Sequence, residues 1–387
     1  MNSQNPTSAT RARRIYSVKW LEYDADVIPA WVADTDLGIP PSVKVALDDV
    51  IAREEVGYPP YSLTLDYLAA FSEWQKSNHG VDMDPSLMMA LSDVIQGFNL
   101  AISTLVAKDS GVVFFTPSYP PFFSAVEGNN RRLLTSDLVA GDNGYEIDFD
   151  DLEEKFVAAG PGGALLLCNP HNPTGRVFSH SELTAIAEVA IRNQIWVISD
   201  EIHADLCYSG FTHIPFVSLS DEIASRTVTL SSASKSFNLA GLHCAVLHAG
   251  DSRIRKALQA IPEGLLGHPS SLGLLGGAIS FREGRQWLDS TLETLRSNRE
   301  AVMNWVASTD GLVRAFSPEA TYLAWLDFTE SPRTPTAQRF VLDKAAVALN
   351  PGESFASWAG QFARLNFGTT PEVLEMILSR IDGALRS

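Results

Sequence analysis

The sequence predicts an α/β protein in which helices wind around a mostly parallel sheet, followed by a smaller α+β domain. From about residue 90 to 250, short apolar runs alternate with amphipathic stretches, which is typical of βαβ units. A chain of 387 residues is long enough for both domains. From about residue 286 the pattern changes to a long helical stretch, a strand-like run over 321–328 and a C-terminal helix.

Four apolar runs are the predicted central strands of the large sheet. Between the second and the third, Ser179 and Glu182 have the spacing of a capping box, and Leu183 begins an apolar face with helical periodicity. This predicts a helix that connects two parallel strands. The four runs, rich in β-branched or large apolar residues, are Val112–Phe115, Ala164–Cys168, Ile195–Ser199 and Val228–Leu230.

These patterns divide the chain into three expected parts. Residues 1–45 are a loop-rich N-terminal segment that packs with the small domain, residues 46–285 form the large domain, and residues 286–387 form the small C-terminal domain.

Charge and composition exclude several classes of partner. With 46 acidic and 29 basic residues, the formal charge of −17 opposes binding to nucleic-acid phosphates and offers no cationic surface to a membrane. No apolar run approaches the roughly 20 residues of a membrane-spanning helix, and residues 1–10 are polar, unlike the core of a signal peptide. We expect a soluble, cytoplasmic protein that binds neither nucleic acid nor membrane.

The cysteines and histidines indicate no metal site. Cys168, Cys207 and Cys244 are odd in number and widely spaced, so we expect buried thiols and not a disulfide framework or a zinc site. His243 and His248 have no accompanying cluster of ligands.

Polar segments follow each of the four predicted strands. In open parallel sheets, ligands bind outside the carboxyl ends of the strands, so these segments should converge on one crevice. Each also has an ordinary interpretation: Asp200 could be a helix N-cap, residues 169–175 a plain turn, and Lys235 a surface lysine. The segments are Thr116–Pro120, Asn169–Gly175, Asp200–His203 and Ser231–Lys235.

The order and spacing of these motifs resemble those of fold-type-I enzymes that use pyridoxal 5'-phosphate (PLP), the class I and II aminotransferase superfamily. Asn-Pro-His-Asn-Pro-Thr-Gly is followed about 25 residues later by Asp-Glu and then by Ser-Ala-Ser-Lys. Further segments resemble the MalY/PatB-type cystathionine β-lyases, a branch of carbon–sulfur lyases, over nearly the whole chain. They are Trp31–Asp34, Val56–Tyr58, Ser118–Phe123, Ile198–His203, Ser234–Leu242 and Ala348–Gly352.

The resemblance implies a role for each matching residue around the cofactor. Lys235 takes the position of the lysine that holds PLP covalently and later removes the substrate α-proton. Asp200 faces the pyridine nitrogen, Asn172 binds the phenolic oxygen, and Tyr119 stacks on the ring. Arg364 matches the arginine that binds the substrate α-carboxylate, with a surface ion pair as the alternative.

The resemblance also implies a phosphate site and a homodimer. Backbone amides at a helix start, two hydroxyls, and a tyrosine of the neighbouring subunit would surround the phosphate, so the active sites would be shared between subunits. His243 stands where many aminotransferases have an arginine, eight positions after Lys235, and its contribution to phosphate binding is left open. In this sequence the backbone amides are those of Ile95 and Gln96, the two hydroxyls are those of Ser232 and Ser234, and the tyrosine is Tyr58.

Three functions remain open from the sequence. The resemblance favours a PLP-dependent C–S β-lyase of amino-acid metabolism that cleaves cystathionine or related cysteine S-conjugates to a thiol, pyruvate and ammonia. An aminotransferase needs the same lysine and aspartate, and a regulatory protein that binds a partner is the third possibility. His203 follows Asp200 by three residues, and a packed histidine is as good an interpretation as a functional one, so it is not a predicted catalytic residue.

Overall fold

The computed structural model describes residues 16–331 and 335–387, so the first 15 residues of the predicted N-terminal segment lie outside the described residues. The strands are β1 (Ile28–Pro29), β2 (Met88–Leu91), β3 (Gly111–Thr116), β4 (Arg132–Ala140), β5 (Tyr145–Ile147), β6 (Ala164–Cys168), β7 (Trp196–Asp200), β8 (Thr227–Ser231), β9 (Ala245–Ala249), β10 (Leu323–Asp327), β11 (Val347–Ala348), β12 (Asn350–Pro351) and β13 (Phe362–Asn366).

Helices alternate with these strands along most of the chain. They are α1 (Val18–Leu21), α2 (Pro41–Ala52), α3 (Tyr61–His79), α4 (Val94–Leu105), α5 (Pro120–Gly128), α6 (Phe149–Ala159), α7 (His180–Arg192), α8 (Asp221–Ala224), α9 (Ala233–Ser236), α10 (Ser252–Gln259), α11 (Glu263–Leu266), α12 (Ser271–Glu283), α13 (Arg285–Ala307), α14 (Ala337–Ala345) and α15 (Pro371–Leu385).

The large sheet of the described chain has eight strands in the order β2-β9-β8-β7-β6-β3-β4-β5. The central strands β4, β3, β6, β7 and β8 are parallel, whereas β2, β9 and β5 pair antiparallel at the two sides. The prediction of a mostly parallel sheet is confirmed. The four predicted strands are β3, β6, β7 and β8, with ends within one residue of those expected.

Both faces of this sheet are covered, which explains why its central strands are almost continuously apolar. Side chains alternate along each strand, so that Phe114 and Ile198 pack with α4, α5 and α10 on one face. Val113 and Val197 pack with α6 and α7 on the other face. A polar residue within these strands would be buried, and polar groups therefore collect at the strand ends.

The helix predicted between β6 and β7 is α7, and its capping box is present. Ser179 Oγ accepts a hydrogen bond from the Glu182 amide at 3.3 Å, and the Ser179 amide donates to Glu182 Oε2 at 2.9 Å. Leu183 and Ile186 are buried against the sheet. The helix thus returns the chain to the start of the next parallel strand.

The C-terminal part contains a three-stranded antiparallel sheet, β10-β13-β12, against which α14 packs. The N-terminal segment joins this part because β1 pairs in parallel with β11, Ile28 opposite Val347 and Pro29 opposite Ala348. Residues that follow β1 are thereby held beside β13, close to the carboxyl ends of the large sheet.

The thiols are less uniformly buried than the sequence predicts. Cys168 is buried, but Cys207 and Cys244 are partly exposed, because each lies in a loop beside a cavity and not within a strand. None of the helices in the described part of the chain combines the length and apolar character needed to cross a bilayer.

Candidate active site

The polar segments that follow β3, β6, β7 and β8 meet in one cavity of about 350 Å³. Its volume suits a small cofactor or metabolite. Residues of the N-terminal segment and Arg364 of β13 also line the cavity. Eight of the ten predicted site residues line this cavity: Lys235, Asp200, Asn172, Tyr119, Ile95, Ser232, Ser234 and Arg364.

Lys235 lies on the short helix α9, directly after β8, and its amine Nζ donates to the carbonyl oxygen of Ala33 at 2.7 Å. Burial lowers the pKa of Lys235 to about 8; Arg364 lowers it further, while Asp34 and Asp200 oppose the shift. A considerable share of the amine is therefore neutral near physiological pH. A neutral amine can attack a carbonyl or accept a proton, so Lys235 is not an ordinary surface lysine.

Asp200 is the last residue of β7 and does not cap a helix. It is buried, and its Oδ1 accepts a hydrogen bond from the Ile202 amide at 3.2 Å. Burial raises the pKa of Asp200 to about 7, although the Ile202 hydrogen bond and Lys235 lower it. A buried carboxyl group of this kind is suited to pair with a basic nitrogen heterocycle, because a partner of positive charge would compensate its desolvation.

Arg364 carries a buried positive charge with no acidic partner among the described residues. Its Nη1 donates to Asn172 Oδ1 at 2.9 Å and its Nη2 to the Trp31 carbonyl at 2.8 Å, while Nε is buried without a partner. Burial lowers its pKa to about 10. The surface ion pair considered from the sequence is therefore wrong. An unpaired N–H on a buried guanidinium favours an anionic ligand such as a carboxylate.

Asn172 and Tyr119 also line the cavity. Because Asn172 Oδ1 is occupied by Arg364, its amide nitrogen is left to donate to a ligand. Tyr119 precedes α5, and burial raises the pKa of its hydroxyl to about 12. Its ring is therefore neutral and available to pack on a flat ligand.

The N-terminal end of α4 and two serines form another end of the cavity. Asp93 caps α4 and accepts the Gln96 amide at 2.7 Å, while Ser232 accepts the Ser234 amide at 3.0 Å. The Gln96 side chain does not line the cavity, and its Oε1 accepts from the Ser92 amide at 2.9 Å. The Ser232 hydroxyl donates its hydrogen to the Cys244 carbonyl at 2.7 Å and would have to exchange this bond to bind an anion. The Ile95 amide and the Ser234 hydroxyl are thus better placed than Gln96 for an anion.

Tyr58 lies apart from this cavity. Its side chain is fully exposed and lines a separate cavity of about 1040 Å³ together with Tyr61, Met88 and Arg255. Within one subunit, Tyr58 therefore does not join the other predicted residues.

The sequence assigned no role to several residues that line the cavity. Ala33 contributes only a carbonyl group, which no residue type reveals. Asp93 had a detectable signal, since an Asp followed three positions later by Gln is typical of a helix start. His203 and His243 also line the cavity. Burial, with Lys235 and Arg364 next in effect, lowers the pKa of His203 to about 3, so its imidazole is neutral.

These residues fit PLP. The cavity offers an amine that can be neutral, a buried carboxyl group for the ring nitrogen, an aromatic side chain for the ring, and a helix end with hydroxyls for the phosphate. The feature that fits least is the Asp93 carboxylate at that helix end. The described residues contain no group of three or more His, Cys, Asp or Glu side chains that could hold a metal ion.

Comparisons with known proteins agree with this geometry. The family model for aminotransferases of class I and II matches residues 32–381. The chain is 33% identical over 371 residues to cystathionine beta-lyase of Corynebacterium glutamicum, covering 95% of this chain and 96% of that protein. It is also 33% identical over 378 residues to cystathionine beta-lyase PatB of Bacillus subtilis, covering 95% and 96%. The crystal structure of cystalysin from Treponema denticola, which contains PLP, matches with a TM-score of 0.90 at 28% identity, over 97% of this chain and 96% of that one.

The lowered pKa of Lys235 leads to a pH-dependence prediction. In the cofactor-free protein, acetic anhydride should acylate Lys235 at a rate that rises with pH through a midpoint near 8, because only the neutral amine is nucleophilic. Pulse labelling followed by peptide mass spectrometry measures this midpoint. Surface lysines of the same sample are the internal control, with midpoints expected near 10.4. A midpoint for Lys235 in that ordinary range would contradict the prediction.

Proposed function

The chain belongs to the class I and II aminotransferase family as a PLP-dependent carbon–sulfur β-lyase, and we propose that it cleaves cystathionine or related cysteine S-conjugates to a thiol, pyruvate and ammonia. The observation that carries this proposal is the buried Arg364, unpaired by any described carboxylate, in the same cavity as Lys235. The cavity thus offers a carboxylate-binding cation and a basic amine to one amino-acid substrate.

PLP, when bound, supplies an aldehyde that condenses with amines and a ring that accepts the electron pair left by the α-proton. Asp200 would hold the ring nitrogen in its protonated form, Tyr119 would pack on the ring, and Asn172 would donate to the phenolic oxygen. Ile95, Ser232 and Ser234 would bind the phosphate, the first through its backbone amide. We propose no direct part for the Gln96 side chain.

Arg364 would bind the α-carboxylate of the substrate, using its planar donor geometry and the N–H that has no partner in the described residues. Lys235, partly neutral near physiological pH, would take the α-proton. The Cβ–S bond then breaks, the sulfur leaves with its electron pair, and the proton on Lys235 is available to that sulfur. Hydrolysis of the three-carbon remainder yields pyruvate and ammonia.

We further propose a cytoplasmic homodimer in which Tyr58 reaches the phosphate of the neighbouring subunit. The support is its position: Tyr58 is fully exposed, and Val56 and Tyr61 beside it are 59% and 74% exposed. Exposed apolar groups of this size favour an interface. The division into residues 1–45, 46–285 and 286–387 also stays a proposal, in which the first part packs with the small domain.

The Arg364 proposal predicts a selective loss of substrate binding. In Arg364→Lys the charge remains but the paired contact to a carboxylate is lost, so kcat/KM should fall by about 10- to 100-fold, corresponding to roughly 1–3 kcal/mol. PLP affinity should change little. Arg299→Lys, which alters a partly buried arginine outside the cavity, is the matched control. Unchanged specificity constants in Arg364→Lys would assign the carboxylate to another residue.

The lyase proposal predicts many turnovers with cystathionine alone. Homocysteine, pyruvate and ammonia should accumulate without any keto acid, because β-elimination returns the cofactor in its starting form. Thiol release and the cofactor absorption spectrum are followed together. A reaction that stops after one equivalent and resumes when a keto acid is added would show transamination instead.

The shared-site proposal predicts complementation between two defective subunits. Tyr58→Phe should weaken PLP binding by about 10- to 100-fold through loss of a charge-assisted hydrogen bond, with the dimer retained. Lys235→Ala should be inactive. In mixed dimers one site combines the intact Lys235 of the first chain with the intact Tyr58 of the second, so mixing should raise activity at limiting PLP. Separate titration of each variant is the control, and activity equal to their average would refute a shared site.

A further inference from the structure

Side chains of the C-terminal part donate hydrogen bonds to every backbone carbonyl of residues 31–34. These bonds hold the segment in place. The four carbonyl oxygens each receive a hydrogen bond of 2.5 to 3.0 Å. Trp31, Val32 and Ala33 also line the cavity. The pairs are Trp31 with Arg364, Val32 and Asp34 with Asn366, and Ala33 with Tyr322.

Among these four carbonyls, that of Ala33 also contacts the amine of Lys235. It accepts Lys235 Nζ at 2.7 Å and the Tyr322 hydroxyl at 3.0 Å. A carbonyl oxygen has two lone pairs and can accept both donors. Tyr322 is 1% exposed, and its ring lies edge-on to His203 with the ring centroids 6.3 Å apart. The hydroxyl is therefore held in place by packing.

This contact constrains how the amine can work as a base. A neutral amine that donates one N–H to a fixed carbonyl has its lone pair directed away from that carbonyl, toward another partner. After the amine has taken a proton, the same carbonyl dipole stabilises the ammonium. Proton transfer depends first on such placement and then on pKa.

We propose that the carbonyl oxygen of Ala33 orients the Lys235 amine during removal of the substrate α-proton, and that Tyr322 is the positioning residue that fixes this carbonyl. The inference rests on the proposed role of Lys235 as the base. It adds a contact to the amine from the N-terminal segment, 202 residues before Lys235 in the chain.

Several charged or titratable groups face Lys235, and a substitution of Tyr322 leaves them in place. Asp34 and Asp200 favour the ammonium, Arg364 disfavours it, and His203 is neutral. The Tyr322 hydroxyl directs its hydrogen at the oxygen that the ammonium also uses, so removing it should favour the ammonium. It should also loosen the carbonyl and slow proton removal.

The chain offers a matched pair of variants for the test. Tyr322→Phe and Tyr208→Phe each delete one buried hydroxyl that donates to a backbone carbonyl, Ala33 in the first case and Thr321 in the second, at 3.0 and 2.5 Å. Tyr208 does not line the cavity. Both variants should lose similar thermal stability, so any further difference between them reports the link to Lys235.

In the PLP-loaded enzyme we measure exchange of the substrate α-proton with D₂O, and in the cofactor-free protein the acylation midpoint of Lys235. Tyr322→Phe should lower the maximal exchange rate about 3- to 30-fold with KM changed less than about twofold, and should raise the midpoint by about half a pH unit. Tyr208→Phe should change neither quantity.

Identical exchange rates and midpoints in the two variants would overturn the proposal. A wild-type enzyme that exchanges the α-proton but releases no thiol would defeat the proposed lyase reaction alone, since the comparison of the variants still applies. A wild-type enzyme that neither exchanges the α-proton nor releases thiol would overturn both, because no α-proton would then be removed.

Discussion

Burial of Lys235 and Arg364 in one cavity is the constraint on which the site depends. Removal from water lowers the pKa of both, to about 8 and about 10, and Arg364 further lowers the pKa of Lys235. Arg364 has no carboxylate partner in the described chain, so its charge is left for an anionic ligand. Lys235 is left partly neutral, as a nucleophile or base must be. Both properties follow from the same desolvation.

The fold produces this desolvation by enclosing the strand ends from two directions. Helices cover both faces of the large sheet, and the polar groups that line the cavity follow the ends of β3, β6, β7 and β8. The N-terminal segment, paired to the C-terminal part through β1 and β11, closes the remaining side. The backbone carbonyls of the N-terminal segment accept hydrogen bonds from side chains on and near β13, among them Arg364. The enclosure and the site chemistry therefore use the same residues.

This arrangement links, through the protein, the two residues that we assign to the α-carboxylate and the α-proton of the substrate. Arg364, which we assign to the carboxylate, donates to the carbonyl of Trp31, and the amine of Lys235 donates to the carbonyl of Ala33 two residues later. A displacement of the segment on substrate binding would reach both groups. The fit of PLP is less complete at the phosphate end, where Asp93 caps α4 and His243 stands in place of an arginine.

The sequence by itself determined the central strands, the helix α7 with its capping box, and the order of the motifs that meet in the cavity. These features depend on local periodicity, capping and turn chemistry, which residue types express directly. The tertiary structure alone decided that Arg364 meets Asn172, 192 residues away, and that Lys235 meets Ala33, 202 residues away. It also decided that Gln96 and Tyr58 do not line their own subunit's cavity. Contacts between distant segments, and those made by a backbone carbonyl, depend on how the layers pack, and a carbonyl group is the same in every residue.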